Sequence, residues 1–152
     1  MKNNPGEKTI TVNRKARHEY IILQSYEAGI ALVGTEVKSI RQNKISISDG
    51  YAFVKDSEVW LKNININVYT QGNINNHDPL RDRRLLLNKR EIRKISKSIL
   101  EKGCTIIPLR VYIKNGIVKI EIGLARGKKF FDKREAIAKR DAERELERKI
   151  KR

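Results

Sequence analysis

The dipeptide Asn115-Gly116 sits between two runs whose apolar residues alternate with polar ones, and no other feature restricts the fold so tightly. Val111-Tyr112-Ile113 precedes it, and Ile117-Val118-Lys119-Ile120-Glu121-Ile122 follows. Asn-Gly supplies two consecutive positive-φ residues, the geometry that joins antiparallel strands by a two-residue turn. At least part of this chain is therefore a half-buried antiparallel sheet. Ile64, Ile66 and Val68 alternate strictly with asparagines and repeat the signature. Tyr51–Lys55 and Glu58–Leu61 flank Asp56-Ser57 as a second candidate hairpin. Ile45 and Ile47 alternate with serines.

Elsewhere the pattern is mixed. Residues 1–9 are polar, with Pro5 and Gly6, and are expected to be a mobile leader without the apolar run of a signal peptide. Tyr20–Leu23 and Ile30–Val33 read as two short strands turning at Glu27-Ala28-Gly29. Thr35 suits an N-cap for one or two helical turns over residues 36–41, with Lys38 and Arg41 outward. An irregular polar loop is expected around residues 73–79, where Asp78-Pro79 predicts an Asx turn with His77 as a surface loop residue. Leu85, Leu86 and Leu87 lead into Ile92, Ile95 and Ile99, whose spacing predicts a helix stopped by Gly103. About six short strands and few long apolar runs predict a mainly β (α+β) fold. The architecture expected is a small OB-like barrel over residues 1–126 with flanking helices.

Charge decides the class of partner. Lysine and arginine exceed aspartate and glutamate by 16 in 152 residues. That excess would be self-repulsive without a polyanion, and nucleic acid leads over an acidic protein or an anionic membrane. Residues 127–152 hold 11 basic and 6 acidic side chains, so +5 lies on this basic C-terminal tail and +11 on the rest. In the tail Arg140, Arg144, Arg148 and Arg152 form one stripe, and Ala138, Ala142, Leu146 and Ile150 a thin apolar one. Pairs such as Glu135–Lys139, Glu145–Lys149 and Glu147–Lys151 favour an exposed helix. The tail is expected to be disordered or fraying alone and helical against RNA. An ordinary helix docked on the barrel is the alternative.

Little points to catalysis. One cysteine, Cys104, and two histidines, His18 and His77, do not make the usual zinc spacings. Cys104 precedes an apolar run and reads as a half-buried strand residue; it can form no intramolecular disulfide, which suits a reducing cytoplasm. There is no Gly-rich phosphate loop and no Gly-x-Ser-x-Gly elbow. A metal-dependent nuclease is the runner-up, although the carboxylates are scattered singly among cations. A generic ribosome-associated OB protein is a third reading. RNA binding has positive support: Asn13-Arg14-Lys15-Ala16-Arg17-His18-Glu19-Tyr20 interleaves cations with two rings, and Arg81, Arg83 and Arg84 follow the polar loop.

Several longer strings carry a family resemblance. Arg17-His18-Glu19-Tyr20, Tyr26-Glu27-Ala28-Gly29-Ile30, Gly34-Thr35-Glu36-Val37-Lys38-Ser39 and Asp78-Pro79-x-Arg81-x-Arg83 closely resemble the SmpB family. So do Leu85-Leu86-Leu87-Asn88-Lys89-Arg90-Glu91 and Gly127-Lys128-Lys129-x-x-Asp132-Lys133-Arg134. The likeness runs in order from about Ile10 to the end. It implies an OB-like barrel that binds the tRNA-like domain of transfer-messenger RNA and delivers it to stalled ribosomes in trans-translation, with no catalytic residue, metal or cofactor.

On this resemblance, the surface for transfer-messenger RNA includes Glu27, Leu87 and Lys119; Lys15, Lys38 and Lys89 would supply attraction, and Asn13, His18 and Asn88 complete the candidate set. Among these, the carboxylate of Glu27 either accepts hydrogen bonds from base edges or bonds a turn N–H. The tail is implied to enter the mRNA channel of the small ribosomal subunit past the decoding centre. Its contacts would be Gly127, Lys128, Lys129, Phe131, Asp132, Lys133 and Arg134, then Arg140, Arg144 and Arg148. Phe130-Phe131 stand where relatives often carry a polar residue or histidine, and Asp56-Ser57 where glycine is usual. A cytoplasmic monomer is expected, meeting elongation factor Tu through the shared RNA and no membrane.

Overall fold

The Asn-Gly hairpin organises the molecule. In a computed structural model, which describes residues 6–71, 76–128, 140 and 142–145, β8 (Thr105–Lys114) and β9 (Ile117–Gly127) pair from Lys114 opposite Ile117 to Thr105 opposite Ala125. Asn115 and Gly116 adopt φ of +51° and +78°, as the two-residue turn requires. Val118, Ile120, Ile122 and Leu124 point inward. The Asp56-Ser57 hairpin, between β4 (Tyr51–Lys55) and β5 (Glu58–Lys62), forms despite lacking glycine, with φ of +52° and +61°.

A ring closes from these pieces. β2 (Tyr20–Ile30) pairs with β9 on one side and β7 (Arg83–Leu86) on the other; β7 pairs with β5, and β4 with β8. The cycle β8–β4–β5–β7–β2–β9 is a six-stranded antiparallel barrel, as the OB-like reading predicts. β1 (Glu7–Val12) adds to the far end of β8, and β3 (Ile45–Ser46) pairs separately with β6 (Asn65–Ile66). Val59, Leu61, Leu85, Ile106, Val111, Ile120 and Ile122 fill the interior. α2 (Gly34–Arg41) contributes Ile40 and α3 (Lys89–Lys102) contributes Ile92 and Ile95.

Several expectations are corrected. The turn at Glu27-Ala28-Gly29 does not exist: β2 is one strand, with Ala28 inward and Glu27 outward. Ala28 completes an inward alternation that its small side chain conceals in the sequence. The leader is not free from Glu7 onward, because β1 pairs with β8; residues 1–5 lie outside the described residues. Leu85 and Leu86 belong to β7, and Asn88 separates them from α3 by a capping box: Glu91 N–H donates to Asn88 Oδ1 at 2.8 Å and Asn88 N–H to Glu91 Oε1 at 3.3 Å. Gly103 ends α3 with φ +63°, as predicted. Val68 is largely exposed rather than buried in a strand. Cys104 is buried just before β8.

Asn13-to-Tyr20 folds as a helix, α1 (Arg14–Glu19), where only a basic segment was expected. Asn13 caps it, accepting from Ala16 N–H at 3.2 Å and donating from Nδ2 to the Pro108 carbonyl at 2.9 Å. Register shifts at Leu23 in β2 and Leu109 in β8 turn apolar residues to the barrel's outside. Ile22, Ile107, Leu109 and Ala125 thus form a second small cluster, which Ala16 of α1 covers. At Gly123 an added Cβ would lie 3.1 Å from both Ile22 and Leu109.

A buried ionic network ties α2 to β7 and the loop before it. Glu36 and Arg83 are both fully buried, although Arg83 had read as an RNA contact. Arg83 Nε donates to Glu36 Oε2 at 2.5 Å, and its two terminal nitrogens donate to the carbonyls of Ile64, at 2.9 Å, and Pro79, at 3.1 Å. Glu36 Oε1 accepts from Val33 N–H at 2.9 Å and from Arg81 at 2.5 Å. Burial pushes the Glu36 pKa up, but these donors outweigh it and hold the carboxyl below its ordinary value. His77 is also buried, not a surface residue; Nε2 meets the Ile66 carbonyl and Nδ1 the Thr35 hydroxyl, each at 2.8 Å. Thr35 therefore does not cap α2, which begins two residues earlier, at Gly34 after Val33. Asp78 does make its Asx turn, accepting from Leu80 N–H at 2.9 Å.

Candidate nucleic-acid interface

Strand register brings distant residues onto one outer face. Gly29 is paired with Lys119 on β9 and with Leu86 on β7, while Lys119 is paired with Tyr112 on β8. Glu27 lies two residues along β2 from Gly29, and Leu87, Asn88 and Lys89 directly follow Leu86. Glu27, Leu86 and Lys119 therefore border one surface, with exposed Asn88 and Lys89 just beyond β7, whereas Leu87 packs partly buried against the barrel core. Gly29 is the place where side chains cross this surface, since a Cβ there would meet Leu86 Cβ at 3.2 Å.

Glu27 is held from the side. The Tyr112 hydroxyl donates a short hydrogen bond to its Oε2, and Lys114 Nζ lies 3.5 Å from the same oxygen. Among the described residues Oε1 receives no hydrogen bond, so one acceptor is available to a ligand. The Tyr112 bond holds the Glu27 carboxyl below its ordinary pKa, with Lys114 and Lys119 adding to the effect against partial burial. The group is a fixed anion set among cations. Tyr112 is 1 % exposed, and burial together with Glu27 pushes its phenol well above the usual range. Arg110 covers its ring at 4.0 Å and reaches Glu121 at 3.3 Å and Glu7 at 3.6 Å. Tyr112, Arg110 and Lys114 were not singled out in the sequence. They lie 83 to 87 positions from Glu27, and no short-range pattern links them.

The remaining candidates lie on other elements, α1 at the Tyr20 end of β2 among them. Lys15 and His18 are exposed on α1; Lys15 lies 3.6 Å from Asp49 and 4.0 Å from Glu19. His18 borders a cleft with Tyr20, Gly127 and Lys128. Lys38 is exposed on α2, its ammonium 5.4 Å from the Tyr69 ring. Asn13 differs in kind, being 3 % exposed with its side chain engaged in holding α1. On α3, Lys89, Arg90, Arg93, Lys94 and Lys97 are all exposed, and none has an ion-pair partner among the described residues. Gly127 is the last residue of β9, paired with Tyr20, and Lys128 is exposed beyond it. Arg140 and Arg144 have helical backbone and are exposed. Lys129, Phe130, Phe131, Asp132, Lys133, Arg134 and Arg148 lie outside the described residues, as do Ala138, Leu146, Ile150 and Arg152 of the two stripes.

A closed OB-like barrel carrying unpaired cations around an oriented carboxylate is a nucleic-acid-binding module in architecture and electrostatics. Comparison with known proteins narrows the class. The family model described as SmpB protein matches residues 10–152, and the chain belongs to that family. It is 57% identical to the SsrA-binding protein of Ligilactobacillus salivarius over 99% of this chain and 97% of that one. With the SsrA-binding protein of Acetivibrio thermocellus it shares 58% identity over 95% and 94% of the two chains. Among solved structures it is similar to a chain from work described as "tmRNA-SmpB: a journey to the center of the bacterial ribosome". The likeness has a TM-score of 0.65 and 47% identity, covering 78% of this chain and 83% of the other. No described helix is long and apolar enough to cross a membrane.

Proposed function

We propose that this chain is an RNA-binding adaptor that takes the tRNA-like domain of transfer-messenger RNA to stalled ribosomes in trans-translation. The observation that carries the reading is the register that sets Glu27 and Lys119 on one outer face, beside Leu86, of a barrel from the SmpB family. Cations supply attraction that is blind to sequence, while the oriented carboxylate rewards a donor in one place. Lys119 and Lys89 neutralise phosphates beside Glu27, Leu87 packs against a sugar or base, and exposed Asn88 offers its amide at the rim. Lys15, His18 and Lys38 extend the footprint along α1 and α2. Asn13 acts indirectly, by positioning α1.

The tail, residues 127–152, contacts the small ribosomal subunit at the decoding centre and in the mRNA channel. Elongation factor Tu meets the protein through the shared RNA. The protein acts in the cytoplasm as a monomer and binds without catalysing a reaction, a nuclease being the activity to exclude.

Gel-shift titration tests this directly. The tRNA-like domain binds far more tightly than a random duplex of equal length, with affinity falling steeply as salt rises. Equal affinity for both would overturn the reading. Truncation after Lys128, which keeps β9 whole, spares RNA binding and abolishes peptide tagging on stalled ribosomes. Incubation of RNA with Mg²⁺ and protein leaves the RNA intact.

A further inference from the structure

On the opposite side of β7 from Glu27, the outer face of the barrel carries a row of rings. Phe53 on β4 is paired with Trp60 on β5, and Trp60 with Arg84 on β7. The inward residues of the same strands, Ala52, Val59, Leu61 and Leu85, are buried, so alternation places this row outside. Tyr51 stands two residues from Phe53 and is 39% exposed. Phe53 and Trp60 line one cleft with Lys55, Asp56, Glu58 and Asp82. Phe53 and Trp60, partly exposed on the outer face of the barrel, do not belong to its core.

We infer that Tyr51, Phe53 and Trp60 form a stacking platform for unpaired RNA bases, a second RNA contact continuous with the Glu27 surface. The inference rests on the RNA-binding reading above and extends it to a different segment of RNA. Three observations support it. Flat π-faces hold any base by stacking, which is how small barrels bind single strands. Charge sets the orientation: among the described residues neither Arg84 nor Lys62 has an ion-pair partner, and they stand beside Trp60 and Tyr51, where phosphates would pass. Asp56, Glu58 and Asp82 keep the cleft itself free of positive excess, so a backbone is held at the rim and a base in the cleft. Their oxygens accept from base amino groups. Continuity is the third observation, since Arg84 and Leu86 are alternate outward residues of one strand and Leu86 adjoins Gly29 and Lys119.

Trp60 is the chain's one tryptophan, so the whole protein carries its own probe. Titration with a short oligoadenylate quenches Trp60 fluorescence to saturation, while a duplex of equal length leaves it nearly unchanged. Anisotropy of labelled oligoadenylate then shows Trp60→Leu and Phe53→Leu each binding roughly fivefold to a hundredfold more weakly, with Trp60→Phe close to the parent protein. Circular dichroism and urea midpoints establish that each variant is folded. No quenching by oligoadenylate, equal quenching by the duplex, or quenching only by a lysine-rich peptide would overturn the platform. Binding of the tRNA-like domain by the parent protein is measured alongside. If it persists while the quench is absent, the platform alone fails; if both are absent, the RNA-binding reading fails too.

Discussion

Glu36→Gln removes one charge from the interior and leaves the volume almost unchanged. Arg83 is fully buried and would keep its guanidinium charge with only carbonyls and a neutral amide around it. Breaking one side of a buried ion pair costs about 3–5 kcal/mol. At roughly 2–4 °C per kcal/mol for a chain of this size, Tm should fall by about 6–20 °C. Arg83→Met removes the other side and leaves Glu36 with Arg81 and the Val33 amide, so its cost should be smaller. The combined variant should lose less than the two single losses added, by about 1–3 kcal/mol. Urea unfolding of the full chain at neutral pH measures all three. An exposed pair gives the contrast: Asp49→Asn opposite Lys15 should change stability by under about 0.5 kcal/mol. The reasoning fails if Glu36→Gln costs less than about 1 kcal/mol, or if the losses simply add. Acid unfolding checks the sign. Glu36 is held below its ordinary value of 4.5, so its stabilisation is present above that pH and lost as pH falls through the lowered value. Glu36→Gln should flatten that part of the acid limb.

Further outcomes follow from the interface. Tyr112→Phe deletes the hydroxyl that fixes Glu27, so the Glu27 pKa should rise toward 4.5 in a carboxyl NMR titration, with tRNA-like domain affinity falling about fivefold. Asn13→Ala should cost about 1 kcal/mol in urea unfolding through the lost cap, and weaken RNA binding without changing its salt dependence. Changing Lys89, Arg93 and Lys97 together to glutamine should reduce the slope of log K against log salt by about 0.7–0.9 for each contact removed. Ile95→Ala should cost about 2–5 kcal/mol, since Ile95 is fully buried on the inner face of α3.

The sequence was most legible where local chemistry decides the conformation. Asn115-Gly116 and Asp56-Ser57 mark their hairpins because the turns need positive φ at two consecutive residues. Gly103 ends α3 for the same local reason. Glu27-Ala28-Gly29 misled because small residues resemble a turn, whereas here they are a strand crossed closely by Leu86. α1 was missed because its one buried side chain, Ala16, leaves almost no apolar stripe, and its stability comes from Asn13 and the Pro108 carbonyl. Arg83 and His77 looked like surface groups because burial of a polar residue depends on partners brought from elsewhere in the chain. For the interface, Glu27, Leu87 and Lys119 came from family resemblance. Tyr112 and Lys114, which orient the carboxylate, are visible only once β8 and β9 are paired.

β8 touches three strands: β1 and β4 along one edge and β9 along the other. A nascent chain that has reached only α3 holds β2 and β4 with edges unpaired, and no local exchange of partners can close the ring. Closure waits until β9 has been synthesised and is free to pair with β2, from Gly29 opposite Lys119 to Tyr20 opposite Gly127. Folding is thus dominated by contacts between distant parts of the chain and is expected to be late and abrupt rather than progressive. A copy broken off before β9 would present open strand edges and apolar surface, a substrate for proteolysis rather than a weakened adaptor.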